Sequence, residues 1–327
     1  MSIDSATVTI RSVGERTEAL CKKLILDQGI SESNVFNVRK APFSAAIKKS
    51  FEIGIEHGLP WTLCVDADVL LRENAIKKMI DLANQQKDNV CEIQGFILDK
   101  FFGGARQGGP HLYRTALLPK ILKAIPAEGV NIRPETHALN TMKNLGFPWL
   151  SVTLLTGLHD FEQYNRDIFR KSIVQAHKHL DLMNVFVPYW REMAKTDYDY
   201  FVALSGVAAG ILHYGDVFIN VNQSIYSDLF SIEGIKEKAE LCINDYSTDI
   251  IEAIIASWEE PDEYKNILPE VYSLGLRNKN IVYRENVLID LLKKKLIDLG
   301  VVKFFIWLTS VALKKMGYKL LRVIEHK

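Results

Sequence analysis

Trp61-Thr62-Leu63-Cys64-Val65-Asp66-Ala67-Asp68-Val69 is the stretch on which the reading of the chain turns. Its first five residues carry no charge and suit a strand buried on both faces, as in a parallel sheet clad by helices. Two carboxylates follow at i and i+2. In an extended backbone alternate side chains leave the same face, so Asp66 and Asp68 are expected to point into one space. That space lies at the carboxyl end of the strand, where open α/β sheets bind ligands. Like charges this close raise each other's cost of ionisation, and a divalent cation removes the penalty. Oxygen ligands suit Mg²⁺ or Mn²⁺, ions usually shared with phosphates. Ala67 is small enough for a nucleotide to approach the backbone. The bland alternative is one aspartate capping the next helix and the other in a surface ion pair.

Working outward, the flanking sequence alternates strand and helix signals. Ala6 to Ile10, Asn34 to Val38 and Val90 to Leu98 read as strands. Thr17 to Leu26, Phe43 to His57 and Asn74 to Gln86 read as helices. This β-α-β-α-β-α-β order predicts an open α/β sheet. Between 99 and 111, Phe102-Gly103-Gly104 and Gln107-Gly108-Gly109-Pro110 read as a glycine-rich loop, with Arg106 and His111 on a lid over the site. Thr115 to Ile125 and a segment opened by Arg133-Pro134-Glu135-Thr136 are expected helices. Trp149 to Leu155 is an expected strand, with Thr156-Gly157-Leu158-His159-Asp160 as its exit loop. Beyond 160 the pattern is mainly helical, at about 161–183, 200–213, 232–241, 247–258 and from 286 on. A boundary near 180 divides residues 1–180, carrying the sheet, from 181–327.

The chain has 327 residues, 48% hydrophobic and 24% charged, which excludes a disordered chain and a disulfide miniprotein. Lysine plus arginine and aspartate plus glutamate number 40 each, so no bulk basic excess points to nucleic acid. Residues 286–327 nonetheless hold nine Lys/Arg against three acids. There Phe304, Phe305, Trp307, Leu308 and Val311 alternate with Lys303, Lys314 and Lys315. Such a tail suits an interfacial helix on anionic lipid, or a face packed on the domain or on a second subunit. The N-terminus lacks the basic and apolar regions of a signal peptide. The uncharged run Phe304 to Leu313 is half of what a spanning helix needs. The expected location is cytoplasmic, peripheral on the inner membrane face if the tail meets lipid. Cys21, Cys64, Cys91 and Cys242 form no CxxC and read as free thiols.

Thr9-Ile10-Arg11-Ser12-Val13-Gly14-Glu15-Arg16-Thr17 and Val65-Asp66-Ala67-Asp68 together resemble the GT-A glycosyltransferases, over roughly residues 6 to 160. The resemblance implies a GT-A Rossmann-like open mixed sheet with helices on both faces, followed by a mainly helical C-terminal region. It also implies that Asp66 and Asp68 bind a divalent cation (Mn²⁺ or Mg²⁺) and the diphosphate of a nucleotide-sugar donor. The loop carrying Arg11, Glu15 and Arg16 is then the nucleoside contact; its alternative is a solvated helix start. Lys48 and Lys49 read as surface charges. A third metal ligand is commonly a histidine, and His159 is first choice, ahead of His213 and His137; His177 and His179 read as surface residues. Glu135 and Asp160 are candidates for the base that an inverting transfer needs. The expected acceptor is a glycan or a lipid-linked one. Two other readings compete. A haloacid-dehalogenase-type phosphatase also uses Asp-x-Asp after an apolar strand, but it needs later acids, and beyond Gly215-Asp216 the partner position holds Asn220. A non-catalytic sugar-nucleotide-binding protein is the other.

Overall fold

The computed structural model describes residues 3–128, 130–131, 133–178, 182–213, 217 and 224–258, all within one unit, Met1–Tyr283. The basic tail, His179, Asp216 and Asn220 lie outside the described residues. The first half runs β1 (Ala6–Ser12), α1 (Glu18–Leu26), β2 (Val35–Arg39), α2 (Phe43–His57), β3 (Trp61–Asp66), β4 (Val69–Leu71), α3 (Ala75–Asn84) and β5 (Glu92–Asp99). It continues through β6 (Gly104–Arg114), α4 (Leu118–Ala124), α5 (Pro134–Asn144) and β7 (Trp149–His159). Then come α6 (Asn165–Lys178), α7 (Met183–Met193), α8 (Tyr198–Leu212), α9 (Ser224–Ile232) and α10 (Thr248–Ser257).

The strands form one mixed sheet in the order β2-β1-β3-β6-β5-β7-β4. β1 pairs in parallel with β2 and β3, and β6 runs antiparallel between β3 and β5. Alternation along the strands sorts the core. Val8, Ile10, Leu63 and Val65 pack with Cys21 and Ile25 of α1 and Ile76, Met79 and Ile80 of α3. Cys64 and Tyr113 face the other way, toward Ile47 and Phe51 of α2, Ile121 of α4 and Leu139 of α5. The expected open mixed sheet with helices on both faces is therefore present, and described helices α6 to α10 follow it. Among the described residues no helix is long and apolar enough to cross a membrane.

The sheet cannot be flat. Only Ala67 and Asp68 separate β3 from β4, yet β4 pairs with β7, four strand positions away. A flat sheet would put about 19 Å between those positions, and three Cα steps reach about 11 Å at most. The far strands curl back until β4 meets the carboxyl end of β7, with Val69 opposite His159 and Leu71 opposite Gly157. The Ala67 amide donates to Arg11 O at 2.9 Å, and the Asp160 amide donates to Asp68 O at 3.3 Å. The curl thus brings the ends of β1, β3 and β7 to one place.

The glycine-rich segment is not an open loop. Residues 104–114 form β6, buried between β3 and β5, and the turn before it sinks Phe101 and Phe102 into the core of α6, α7 and α8. The Trp190 indole donates to Phe101 O at 2.7 Å, and Lys100 reaches Asp199 at 2.7 Å. The glycines serve a bulge: Gln94 lies opposite His111 and Phe96 opposite Gln107, so residues 108–110 face Gly95 alone. Gly109 takes φ of 87° there, and a Cβ on it would stand 2.2 Å from Ile97. The predicted helix at 232–241 is also replaced: α9 ends at Ile232, and Glu233–Leu241 run as turn and coil. The three-residue β4 was too short to read from sequence.

Gly157 carries the closest backbone approach in the curl, because a Cβ there would lie 2.2 Å from Leu70 O. Gly157→Ala is expected to cost about 1–3 kcal/mol, read as a lower urea midpoint at unchanged slope. An unchanged midpoint would mean that β4 is not seated against β7 in this way.

Candidate active site

A cleft of about 510 Å³ opens where these strand ends meet. Asp66 at the end of β3 and Asp68 in the β3–β4 link line it, with Arg11 and Ser12 at the end of β1, Glu15 beyond it, His111 on β6, Glu135 at the start of α5, His159 at the end of β7, Asp160 just after it, and Lys171 on α6. Two buried charge networks divide this floor.

The first network is built on Arg11. Its Nε donates to Asp66 Oδ1 at 2.7 Å and its Nη1 to Glu135 Oε1 at 2.9 Å, while its guanidinium lies 5.0 Å from the Phe43 ring centroid. Tyr113 donates to the same Glu135 oxygen at 2.6 Å. His111 bridges two acids, with Nδ1 2.8 Å from Glu92 and Nε2 3.4 Å from Glu135. Burial works against ionising Glu135, but Arg11 and His111 overcome it and hold the carboxyl at about 2. Burial likewise opposes a charged His111, and Glu135 and Glu92 more than offset it, so its pKa is raised. Burial pushes the Asp66 carboxyl up, against the pull of Arg11.

The second network is a cluster of side chains that could hold a cation. Ligand atoms of Asp68, His159 and Asp160 all lie within 4.8 Å of one another. Lys171 Nζ donates to Asp68 Oδ2 and to Asp160 Oδ1, each at 2.5 Å. His159 Nε2 is 3.7 Å from Asp68 Oδ2, and its Nδ1 lies 2.8 Å from Asp99, which also receives Arg106 at 2.6 Å. Asp99 is in turn fixed by the amides of Phe101 and Phe102, both at 3.0 Å. Burial opposes ionisation of Asp68, but Lys171 and His159 prevail and hold its carboxyl well below the usual range. Asp160 takes φ of 63°, a left-handed conformation that aspartate tolerates better than most residues. Asp68 Oδ1 is buried with no hydrogen-bond partner among the described residues. That unspent oxygen, beside one imidazole and a second carboxylate, is a donor set that fits Mn²⁺ or Mg²⁺.

The sequence-predicted residues separate into groups. Asp68, His159 and Asp160 come together as one cluster. Asp66 faces the same cleft with 36% of its side chain exposed but is paired to Arg11, outside the cluster. Glu15 lines the cleft beside Ser12, which donates to it at 2.8 Å; burial and the nearby Asp68 raise its pKa. Arg16 turns away, to Glu162 Oε2 at 2.6 Å and Ala239 O at 2.8 Å, and lines a separate pocket. Ala67 is fully buried in the core, its carbonyl accepting from Thr17 at 2.7 Å. His137 and His177 are exposed, and the two remaining ligand candidates, His213 and His137, are absent from the cleft lining. Sequence reading passed over Lys171, Asp99, Glu92 and Tyr113. The signal for Lys171 was a charged Arg170-Lys171 pair one helical segment after His159-Asp160.

Lys171 binds one oxygen of each carboxylate in the cluster, so its ammonium competes with a divalent ion for the charge of Asp68 and Asp160. Lys171→Met is therefore expected to tighten Mn²⁺ binding about tenfold or more, measured by calorimetry on the full chain. An unchanged or weaker affinity would place the ion elsewhere. Glu135 makes a second, pH-dependent prediction. Its folded pKa of about 2 lies below the ordinary 4.5, so its ionised form adds stability above 4.5 that is lost as pH falls toward 2. Glu135→Gln is expected to cost about 3 kcal/mol at pH 7, with the gap to the wild type closing over that acid window in urea unfolding.

No protein-family profile matches the chain, and no curated protein matches it significantly. Among solved structures it is similar to a glycosyltransferase involved in the glycosylation of the major capsid of PBCV-1, at 12% identity over 45% of this chain and 81% of that one, with a TM-score of 0.31. It is similar to A197 from STIV at 12% identity, 45% and 80% coverage and a TM-score of 0.33. It is also similar to a cytidylyltransferase from Leptospira borgpetersenii serovar Hardjo-bovis, at 14% identity, 45% and 75% coverage and a TM-score of 0.31. Likenesses of this size leave the site to be read from its own geometry.

Proposed function

We propose that the chain is a metal-dependent glycosyltransferase of the GT-A type, moving a sugar from a nucleotide-sugar donor to a glycan or lipid-linked acceptor. One observation carries this reading: a carboxylate–imidazole–carboxylate cluster with an unspent buried oxygen, seated at the carboxyl ends of β3 and β7 in an open cleft. Asp68, His159 and Asp160 would hold Mn²⁺ or Mg²⁺. The bound ion supplies charge that steadies a leaving diphosphate.

The chain's own groups prepare the rest. Asp66, fixed in place by Arg11, is left to face the donor. Ser12 and Glu15 border the cleft after β1, where a ribose or base has hydrogen-bond partners. Glu135 is too weakly basic, with its carboxyl held at about 2, to take a proton from an acceptor hydroxyl; it positions Arg11 instead. Asp160 supports His159 and Lys171. A phosphatase reading, in which Asp66 attacks phosphorus, is disfavoured by the Arg11 ion pair that occupies Asp66 Oδ1.

The reading is tested by thermal-shift titration with UDP-, GDP-, CMP- and dTDP-sugars, with and without Mn²⁺. One of them is expected to stabilise the chain only when Mn²⁺ is present. Asp68→Asn is expected to remove that dependence and to lower transfer by about three orders of magnitude, with the circular dichroism spectrum retained. Sugar-nucleotide binding indifferent to both Mn²⁺ and Asp68→Asn would rule the reading out.

A further inference from the structure

An imidazole has two ring nitrogens, and only one without a proton can ligate a metal ion. In His159 the two face different partners. Nε2 lies 3.7 Å from Asp68 Oδ2, on the side of the cluster, and Nδ1 lies 2.8 Å from Asp99 Oδ2. Asp99 is fully buried, and three donors besides the ring converge on it. The amides of Phe101 and Phe102 donate to Oδ1, and Arg106 Nε donates to Oδ2 at 2.6 Å. A carboxyl met by a guanidinium and two amides stays ionised and only accepts. The contact with the ring therefore needs an N–H at Nδ1. Asp160 Oδ2, 3.2 Å from Nδ1, is a second acceptor for that proton. Arg106 Nη2 stands farther off, at 3.3 Å, and cannot donate to a nitrogen that already bears hydrogen.

Asp99 is held from outside the cleft. It ends β5, and the turn after it is anchored among the helices. Phe101 and Phe102 pack in the core of α6, α7 and α8. The Trp190 indole donates to Phe101 O, and the Tyr200 hydroxyl donates to Lys100 O at 2.8 Å. The Lys100 ammonium lies 2.8 Å from Asp197 and 2.7 Å from Asp199. Two amides would be enough to fix a carboxylate in this turn. Asp99 turns its other oxygen to the ring of His159 and to Arg106.

We propose that Asp99 is a positioning residue for the cation cluster: it keeps the His159 proton on Nδ1, which leaves Nε2 bare toward Asp68. That Nε2 meets a divalent ion rests on the metal-dependent reading above; that Asp99 places the ring's proton rests on the contacts alone. Asparagine in this place has one acceptor oxygen where four donors converge. With that oxygen turned to the two amides, its NH₂ faces Nδ1 and favours a lone pair there. The proton then moves to Nε2, the nitrogen on the ion's side. A carboxylate that orients a ligating imidazole in this way is worth about ten- to a hundredfold in metal affinity.

The test uses the full chain labelled with ¹⁵N-histidine, with Zn²⁺ as a diamagnetic probe. The His159 signals are assigned by their loss in His159→Gln. In the wild type the Zn²⁺-bound ring is expected to show its proton on Nδ1 and the metal on Nε2. Metal on Nδ1, or His159 signals indifferent to Zn²⁺, would overturn the proposal. Asp99→Asn is expected to lose this pattern and to weaken Mn²⁺ about tenfold or more by calorimetry. A folded variant that keeps the wild-type ring pattern makes Asp99 a purely structural residue and overturns the proposal, whatever its Mn²⁺ affinity. If the variant fails to fold, the wild-type spectrum decides alone. No donor or turnover enters these measurements. Failure of the glycosyltransferase reading would register separately, as absent transfer with the Zn²⁺ spectrum as expected.

Discussion

The shortness of the β3–β4 link governs the molecule. Two residues cannot carry the chain across four strand positions, so the sheet must curl, and the curl creates the cleft. Asp66 ends β3, Asp68 immediately precedes β4, and the same closure sets His159 opposite Val69. Residues nearly a hundred positions apart therefore become neighbours through backbone hydrogen bonds, before any side-chain charge is considered. Closeness at Gly157 and the bulge at Gly108-Gly109 are the local concessions that let the strands come this near.

Charge then divides the floor between two tasks. Arg11 is buried and joins Asp66 to Glu135, while Tyr113 and His111 complete the carboxylate's shell. Breaking one partner of such a set costs more than the set contributes, because the survivor is left charged in a low dielectric. On the other side Lys171 balances Asp68 and Asp160 through one ammonium, on a long side chain whose head can move without disturbing the helix that carries it. The two halves differ in how tightly their charged groups are tied to one another.

Much of the frame was legible in the sequence because it is local. Periodicity located the first three βα units, and the apolar run Trp61–Val65 announced a strand buried on both faces. The Asp66-Ala67-Asp68 pair and His159-Asp160 were visible as carboxylates and an imidazole at strand ends. Two things were hidden. Glycines at 103, 104, 108 and 109 read as a loop, since local composition does not reveal that β3 and β5 would pair with that segment from both sides. Lys171 was hidden because a lysine on an amphipathic helix looks solvated until tertiary contacts show which face it occupies. The i, i+2 rule also misled in one respect. Ala67 already hydrogen-bonds to both Arg11 and Thr17, so the backbone leaves the strand between the aspartates and sends them into different networks.

Unfavourable terms collect in the cleft and point to use. Asp160 holds a left-handed backbone, and Asp68 Oδ1 and Arg11 Nη2 are buried without partners among the described residues. Each costs on the order of 1–3 kcal/mol. A fold selected for stability alone would replace them with apolar contacts at little loss of packing. Their concentration at the carboxyl ends of β1, β3 and β7, and the mixture of unspent acceptor and unspent donor, match a ligand that brings both a cation and anionic oxygens. On the proposed glycosyltransferase reading, a metal–diphosphate pair has that composition.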